Sequence, residues 1–394
     1  MFTKNRNETL DLVRGLSAVA VMASHLRGFL IDDFGKLASP GVLAKLFYFA
    51  TGLGNQAVMI FFVLSGFFVG GGVCKALKSK RFSWLNYAIA RLIRLWMALL
   101  PALLLTLACD LVGRHFAPDI YNGSLRHLFC SGPTPGENSF TPGAFFGNLI
   151  FLQTIKVSCF GSNAPLWSLA NEFWYYVLFP LAACSCVYIT RTQRNLPLAL
   201  GMWTAFGLIA WLLPTGLVCN GLIWLMGVGV WWVSTRPSVL RVTSHPVYFA
   251  LTGAFFLGCL VATKTQSVLG RDFVLGTAFA LWLCSLLAPR LKDRLLGRIG
   301  IVLSEISYTL YVVHFPIQFF IASTFLKGHR LSLGFTGICW FALCFILCLG
   351  ASALMWFLFE RRTNGVRQRA NRFFARQMGK GTPVHGQTSV NSVS

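Results

Sequence analysis

The chain has 394 residues, of which 55% are hydrophobic and only 12% charged. So few polar groups cannot cover a water-soluble globule of this size, which excludes a soluble enzyme or binding domain and leaves an integral membrane protein. The net charge of +22 invites a nucleic-acid reading, so the placement of each Lys and Arg decides what the charge is for.

A helix needs about 20 apolar residues to cross roughly 30 Å of hydrocarbon. Continuous apolar runs of that length are unlike the short alternating segments of a β-barrel. Ten such runs predict an all-α integral membrane protein with transmembrane helices near 10–30, 54–74, 93–113, 170–190, 196–213, 217–234, 246–263, 271–288, 305–326 and 333–358. With the N-terminus placed in the cytoplasm, 24 of the 34 Lys and Arg fall on the inner side. Both termini are therefore expected to be cytoplasmic, and topology explains the basic balance without nucleic acid. The first span is read as retained, because its apolar stretch is too long for a signal peptide and holds Arg14 and His25. Residues 1–9 then form a cytoplasmic N-terminus and 10–360 a ten-span domain with a large extracytoplasmic loop, 114–169. The remaining 361–394 read as a cytoplasmic tail, first basic and suited to anionic lipid headgroups, then polar and disordered.

An ionisable group inside a bilayer costs roughly 2.5–3.5 kcal/mol, so each one is a functional candidate. Arg14 and His25 are separated by about three helical turns, which puts them on one face, ~16 Å apart along the axis. Arg14 falls at the cytoplasmic end, where snorkelling to headgroups is the plain alternative. His25 lies past the midplane. In the second span, Ser65 and Gly66 allow close helix approach. Arg91 and Arg94, at i and i+3 where the third span begins, project to one side and suit phosphate binding, although positive-inside anchoring accounts for them too.

Cys130 and Cys159 both fall in the long outer loop and are placed for a disulfide, whereas the other ten cysteines sit in or beside spans. Glu172 opens the fourth span at its expected outer end, a position the helix dipole also favours for a carboxylate. Around it Trp167, Phe173, Trp174, Tyr175 and Tyr176 offer either an interfacial belt or a platform for stacking sugars. Glu305 reads as a surface group at the inner end of the ninth span. His314 is a second imidazole inside that span, a possible base but more readily a supporting group.

In this order and on these spans, the residues resemble the acyltransferase-3 family of ten-span membrane acyltransferases. The matching patterns are Arg14 and His25 with ten residues between them, Ser65-Gly66-x-Phe68, and Arg91-x-x-Arg94, joined by "FFVLSGFF", "LWSLANEFWYYVLFP" and "SYTLYVVHFP". The resemblance covers about residues 8–362. It implies an enzyme of the bacterial inner membrane that takes an acyl group, usually acetyl, from cytoplasmic acyl-CoA. That donor is a co-substrate, and no tightly bound cofactor or metal is expected. The acceptor is implied to be a hydroxyl of an extracytoplasmic or lipid-linked carbohydrate such as polysaccharide, lipopolysaccharide or lipo-oligosaccharide.

Some family members carry an extracytoplasmic SGNH hydrolase-like domain after the spans. Here only a short tail follows Arg361, which implies a stand-alone enzyme or one with a separate extracytoplasmic partner. The "FERR" at 359–362 is similar to the family's closing Glu-containing segment, with Arg where Pro often follows.

On this reading Arg14, Arg91 and Arg94, with Ser65 and Gly66 beside them, bind the donor, and its pantetheine arm presents the thioester to His25. An imidazole with an ordinary pKa of about 6.5 suits a general base, and the same ring could instead carry the acyl group briefly. Glu172 would orient that imidazole or hold the sugar. The alternative from another class is a transporter or flippase of lipid-linked sugars, against which stands the lack of repeated spans or matched broken helices.

Overall fold

In the computed structural model, residues 7–129, 140–190, 195–265, 270–288 and 294–377 are described. Among them the chain forms helices and two isolated bridges, with no strand. A long helix lies on each of the ten apolar runs: α1 Glu8–Leu30, α2 Gly54–Ser65, α3 Trp84–Phe116, α4 Leu166–Thr190, α5 Leu196–Leu212, α6 Thr215–Ser234, α7 Pro246–Thr265, α8 Arg271–Leu286, α9 Arg294–Thr324 and α10 Phe335–Leu358. Helix α2 continues through a π-turn, Gly66–Gly70, into Gly71–Lys78. By length and composition, seven helical runs qualify as membrane spans, those containing α2, α3, α4, α6, α7, α9 and α10. The other three fall short for visible reasons. Helix α1 carries Glu8, Asp11, Arg14 and Arg27, while α5 and α8 have 17 and 16 residues.

The outer surface agrees with a lipid surround. Leu200, Trp211, Leu251 and Ile346 are 65–79% exposed, and a contiguous surface of such side chains belongs in hydrocarbon rather than water. The centre of the bundle is α9, where Leu310, Val312, Val313, His314, Phe315, Gln318 and Phe319 have no exposed surface. Helix α1 starts at an Asn7 cap, whose side chain accepts from the amides of Thr9 and Leu10 and satisfies donors that a helix start leaves open. It packs parallel to α9, since Arg14 meets Ser304 and His25 meets His314.

Two departures from the expected layout matter for the site. Helix α3 begins at Trp84 behind a Ser83 cap rather than near residue 93, which puts Arg91 and Arg94 about two and three turns inside the helix. The outer loop is also not peripheral. Its apolar piece folds in: Asn148 and Gln153 are fully buried, and the Gln153 amide donates to Leu166 O at 2.9 Å.

Farther on, Gly161 takes φ +57° and turns the chain so that Ser162 N and Oγ both donate to the buried Asp110 carboxylate, at 2.6 and 2.7 Å. A Cβ on Gly161 would lie 2.1 Å from Asp110 Oδ2. Gly161→Ala is therefore expected to destabilise the protein by more than the ~1–2 kcal/mol of a left-handed non-glycine residue, read as a lowered Tm of detergent-solubilised protein. An unchanged Tm would show that this turn does not anchor the loop.

The disulfide expected between Cys130 and Cys159 lies outside the described residues, because Cys130 does. The start of the basic tail is a further helix, α11 Thr363–Gln377, packed against α3 and bearing Arg367, Arg369, Arg372 and Arg376.

Candidate active site

The expected shared face of Arg14 and His25 depends on α1 running unbroken between them, and it does. Both side chains point at α9. Arg14 donates from Nη2 to Ser304 O at 2.9 Å, and Ser304 Oγ donates to Asp11 at 2.8 Å. One end of the α1–α9 seam is therefore polar and charged. Toward the other end, the His25 and His314 rings lie nearly parallel, 14° between planes, with Nδ1 of His25 2.9 Å from Nε2 of His314. Phe315 packs edge-on to His25 at 5.0 Å between centroids. His314 is fully buried, while His25 keeps part of its surface exposed.

Two prolines inside helices shape these surroundings. Pro316 cannot donate to the carbonyl four residues back, and that carbonyl, Val312 O, accepts instead from the Asn163 amide at 2.9 Å. The same loop residue also donates to Thr106 Oγ1 at 3.1 Å, so Asn163 ties the outer loop to α3 and α9 beside the His pair. Pro180 likewise frees Tyr176 O, which accepts from the Tyr87 hydroxyl at 2.9 Å. A carbonyl released in an apolar bundle needs such a partner.

Glu172 does not reach His25. Its carboxylate accepts from Ser65 Oγ at 2.8 Å and from the Tyr176 hydroxyl, and Trp224 Nε1 donates to the same Ser65 oxygen at 3.0 Å. Among the described residues the side-chain hydrogen-bond partner of His25 is His314. Helix geometry explains the difference: Glu172 lies six residues inside α4, about 9 Å below its start, level with Ser65 at the end of α2.

Gly66 lets α2 and α6 meet there, since a Cβ would sit 1.8 Å from Trp224 O, and the π-turn that follows widens the helix as such turns do at functional sites. The aromatic cluster divides, with Trp167, Phe173 and Trp174 keeping part of their surface exposed. Tyr175 and Tyr176 are buried, and Phe173 stacks on Phe151 at 4.3 Å.

Arg91 and Arg94 follow different courses. The Arg91 guanidinium lies over the Tyr176 ring, 5.9 Å from its centroid, and its Nε is buried with no hydrogen-bond partner among the described residues. Arg94 lies over the Tyr308 ring at 5.2 Å and is ion-paired with Glu360. The other Glu360 oxygen accepts from the Thr309 hydroxyl.

Glu360 is the residue that sequence reasoning missed, and its signal was present in "FERR", a lone acid where apolar helix gives way to basic tail. No group of three or more potential metal ligands occurs among the described residues.

A family model described as an acyltransferase domain matches residues 7–357. No curated protein and no solved structure matches the chain.

Proposed function

This chain belongs to the acyltransferase-3 family, and from that premise we propose that it moves an acyl group, acetyl by default, from cytoplasmic acyl-CoA to a carbohydrate hydroxyl across the membrane. In this reading all ten long helices span the bilayer, both termini are cytoplasmic, and the membrane is the bacterial inner membrane. The acceptor is an extracytoplasmic or lipid-linked saccharide, delivered directly or by a separate extracytoplasmic partner.

The observation that carries the reading is the partly exposed His25 ring, held inside the bundle on the same α1 face as Arg14. The donor's phosphates bind Arg14 and Arg91, and Arg94 shapes that end through its pair with Glu360. Ser65, Gly66 and Glu172 border the path of the pantetheine arm. At the far end His25 takes the proton of the sugar hydroxyl as its oxygen attacks the thioester carbonyl. The C–S bond then breaks, and the departing thiolate receives the proton from the imidazolium. Holding donor and acceptor in line within a bundle that excludes water contributes by orientation and by preventing hydrolysis.

Membranes containing the protein should transfer label from radiolabelled acetyl-CoA into an added candidate glycan. A flippase would move the glycan without incorporating label, and that result would overturn the proposal. Arg91→Ala is expected to raise the KM for acetyl-CoA by about 10- to 100-fold with kcat nearly kept, the loss of a charge-assisted contact. An unchanged KM in a donor titration would remove Arg91 from the donor site.

A further inference from the structure

We propose that His314 is a positioning residue that holds His25 in the tautomer with an unprotonated Nε2. Leu310 O can only accept, and His314 Nδ1 lies 2.8 Å from it, so that nitrogen carries a proton. Among the described residues neither imidazole contacts a carboxylate, and an unpaired charge inside a membrane bundle is costly, so both rings are neutral.

A neutral His314 with its proton on Nδ1 has a lone pair on Nε2. His25 Nδ1, 2.9 Å away, must then be the donor, and the lone pair of His25 is left on Nε2. The reverse assignment would set the Nδ1 lone pair of His314 against the Leu310 oxygen. The side-by-side, nearly coplanar pairing with His314 and the edge contact from Phe315 fix the ring plane as well as the proton. Because His314 is fully buried, it acts through His25 and does not meet the substrate. The relay of carbonyl, imidazole and imidazole does here what a carboxylate does behind a catalytic histidine, setting which nitrogen is free. Asn163 supports it by closing the carbonyl that Pro316 opens two residues farther along α9.

This inference rests on the reading of His25 as the base, and the two can be tested apart. The full chain, labelled with [15N]histidine in lipid nanodiscs, contains seven histidines, and His25 is assigned by the signal lost in His25→Asn. The expected spectrum shows His25 protonated on Nδ1 in the wild type, and a redistributed tautomer in His314→Phe. His314→Phe is expected to lower kcat about 100-fold with the donor KM within about twofold. His314→Gln, whose side-chain oxygen can accept from His25 Nδ1, should recover kcat to within about tenfold of wild type.

If His314→Phe does not fold, the wild-type spectrum decides alone, and a proton on His25 Nε2 overturns the proposal. An inert His25→Asn beside a fully active His314→Phe would remove only the positioning role. An active His25→Asn would remove the base reading itself.

Discussion

Replacing His25 by Ala or by Asn is expected to leave a folded membrane protein that no longer transfers label from acetyl-CoA. The size of the loss follows from the role assigned to the ring: a general base contributes roughly 10²–10⁴-fold, which in a membrane assay reads as absence of product. The two variants separate chemistry from structure. His25→Ala also leaves His314 Nε2 without its donor, at a cost of about 1–3 kcal/mol for a buried unpaired acceptor. His25→Asn keeps an amide N–H near the Nδ1 position, so the bond to His314 survives while the base is gone. Loss of activity in Ala alone would make the contact structural. Loss in both, with normal amounts of protein in the membrane, assigns the chemistry to the imidazole.

The second large effect is on stability. Arg94→Ala strips the guanidinium from Glu360, whose side chain is only 2% exposed, and leaves the Thr309 hydroxyl as its remaining partner. Breaking a buried pair on one side costs about 3–5 kcal/mol. The variant is expected to accumulate poorly and to lose Tm in detergent. Adding Glu360→Gln removes the stranded charge and should restore most of that loss. A double variant as unstable as the single one would show that Arg94 matters through its packing on Tyr308 and not through Glu360. Arg91→Ala, which breaks no ion pair among the described residues, should fold normally. In the proposed reading the two arginines of one motif separate into a donor-binding group and a group that locks the start of the tail to α3.

The helices could be read from the sequence because an apolar run of this length has one stable form in lipid, whatever its neighbours. The facing of Arg14 and His25 could also be read, since the pitch of an unbroken helix fixes it. Depth and partner choice could not. The start of α3 was hidden because residues 84–92, "WLNYAIARL", contain no breaker, and hydropathy alone does not see the Ser83 cap.

Glu172 was placed at the outer end of its span, but the helix starts at Leu166, and that offset moves its carboxylate from His25 to Ser65. The Arg94–Glu360 pair joins positions 266 residues apart, a distance over which no local pattern carries information. Asn163 carries no signal of its own in the sequence, and its contacts become readable only once Pro316 frees a carbonyl facing it. His314 was readable as an intramembrane imidazole, but its contact with His25 depends on the parallel register of α1 and α9.

Whether this protein esterifies a saccharide through His25 can be read by glycan mass spectrometry. A deletion strain is complemented with wild type or with His25→Asn, and the surface and lipid-linked glycans are compared. Wild type is expected to restore increments of ~42 Da, one acetyl substituent for each transfer, and His25→Asn to leave them missing. Identical glycan masses in the deletion strain, with and without the wild-type protein, would contradict the account.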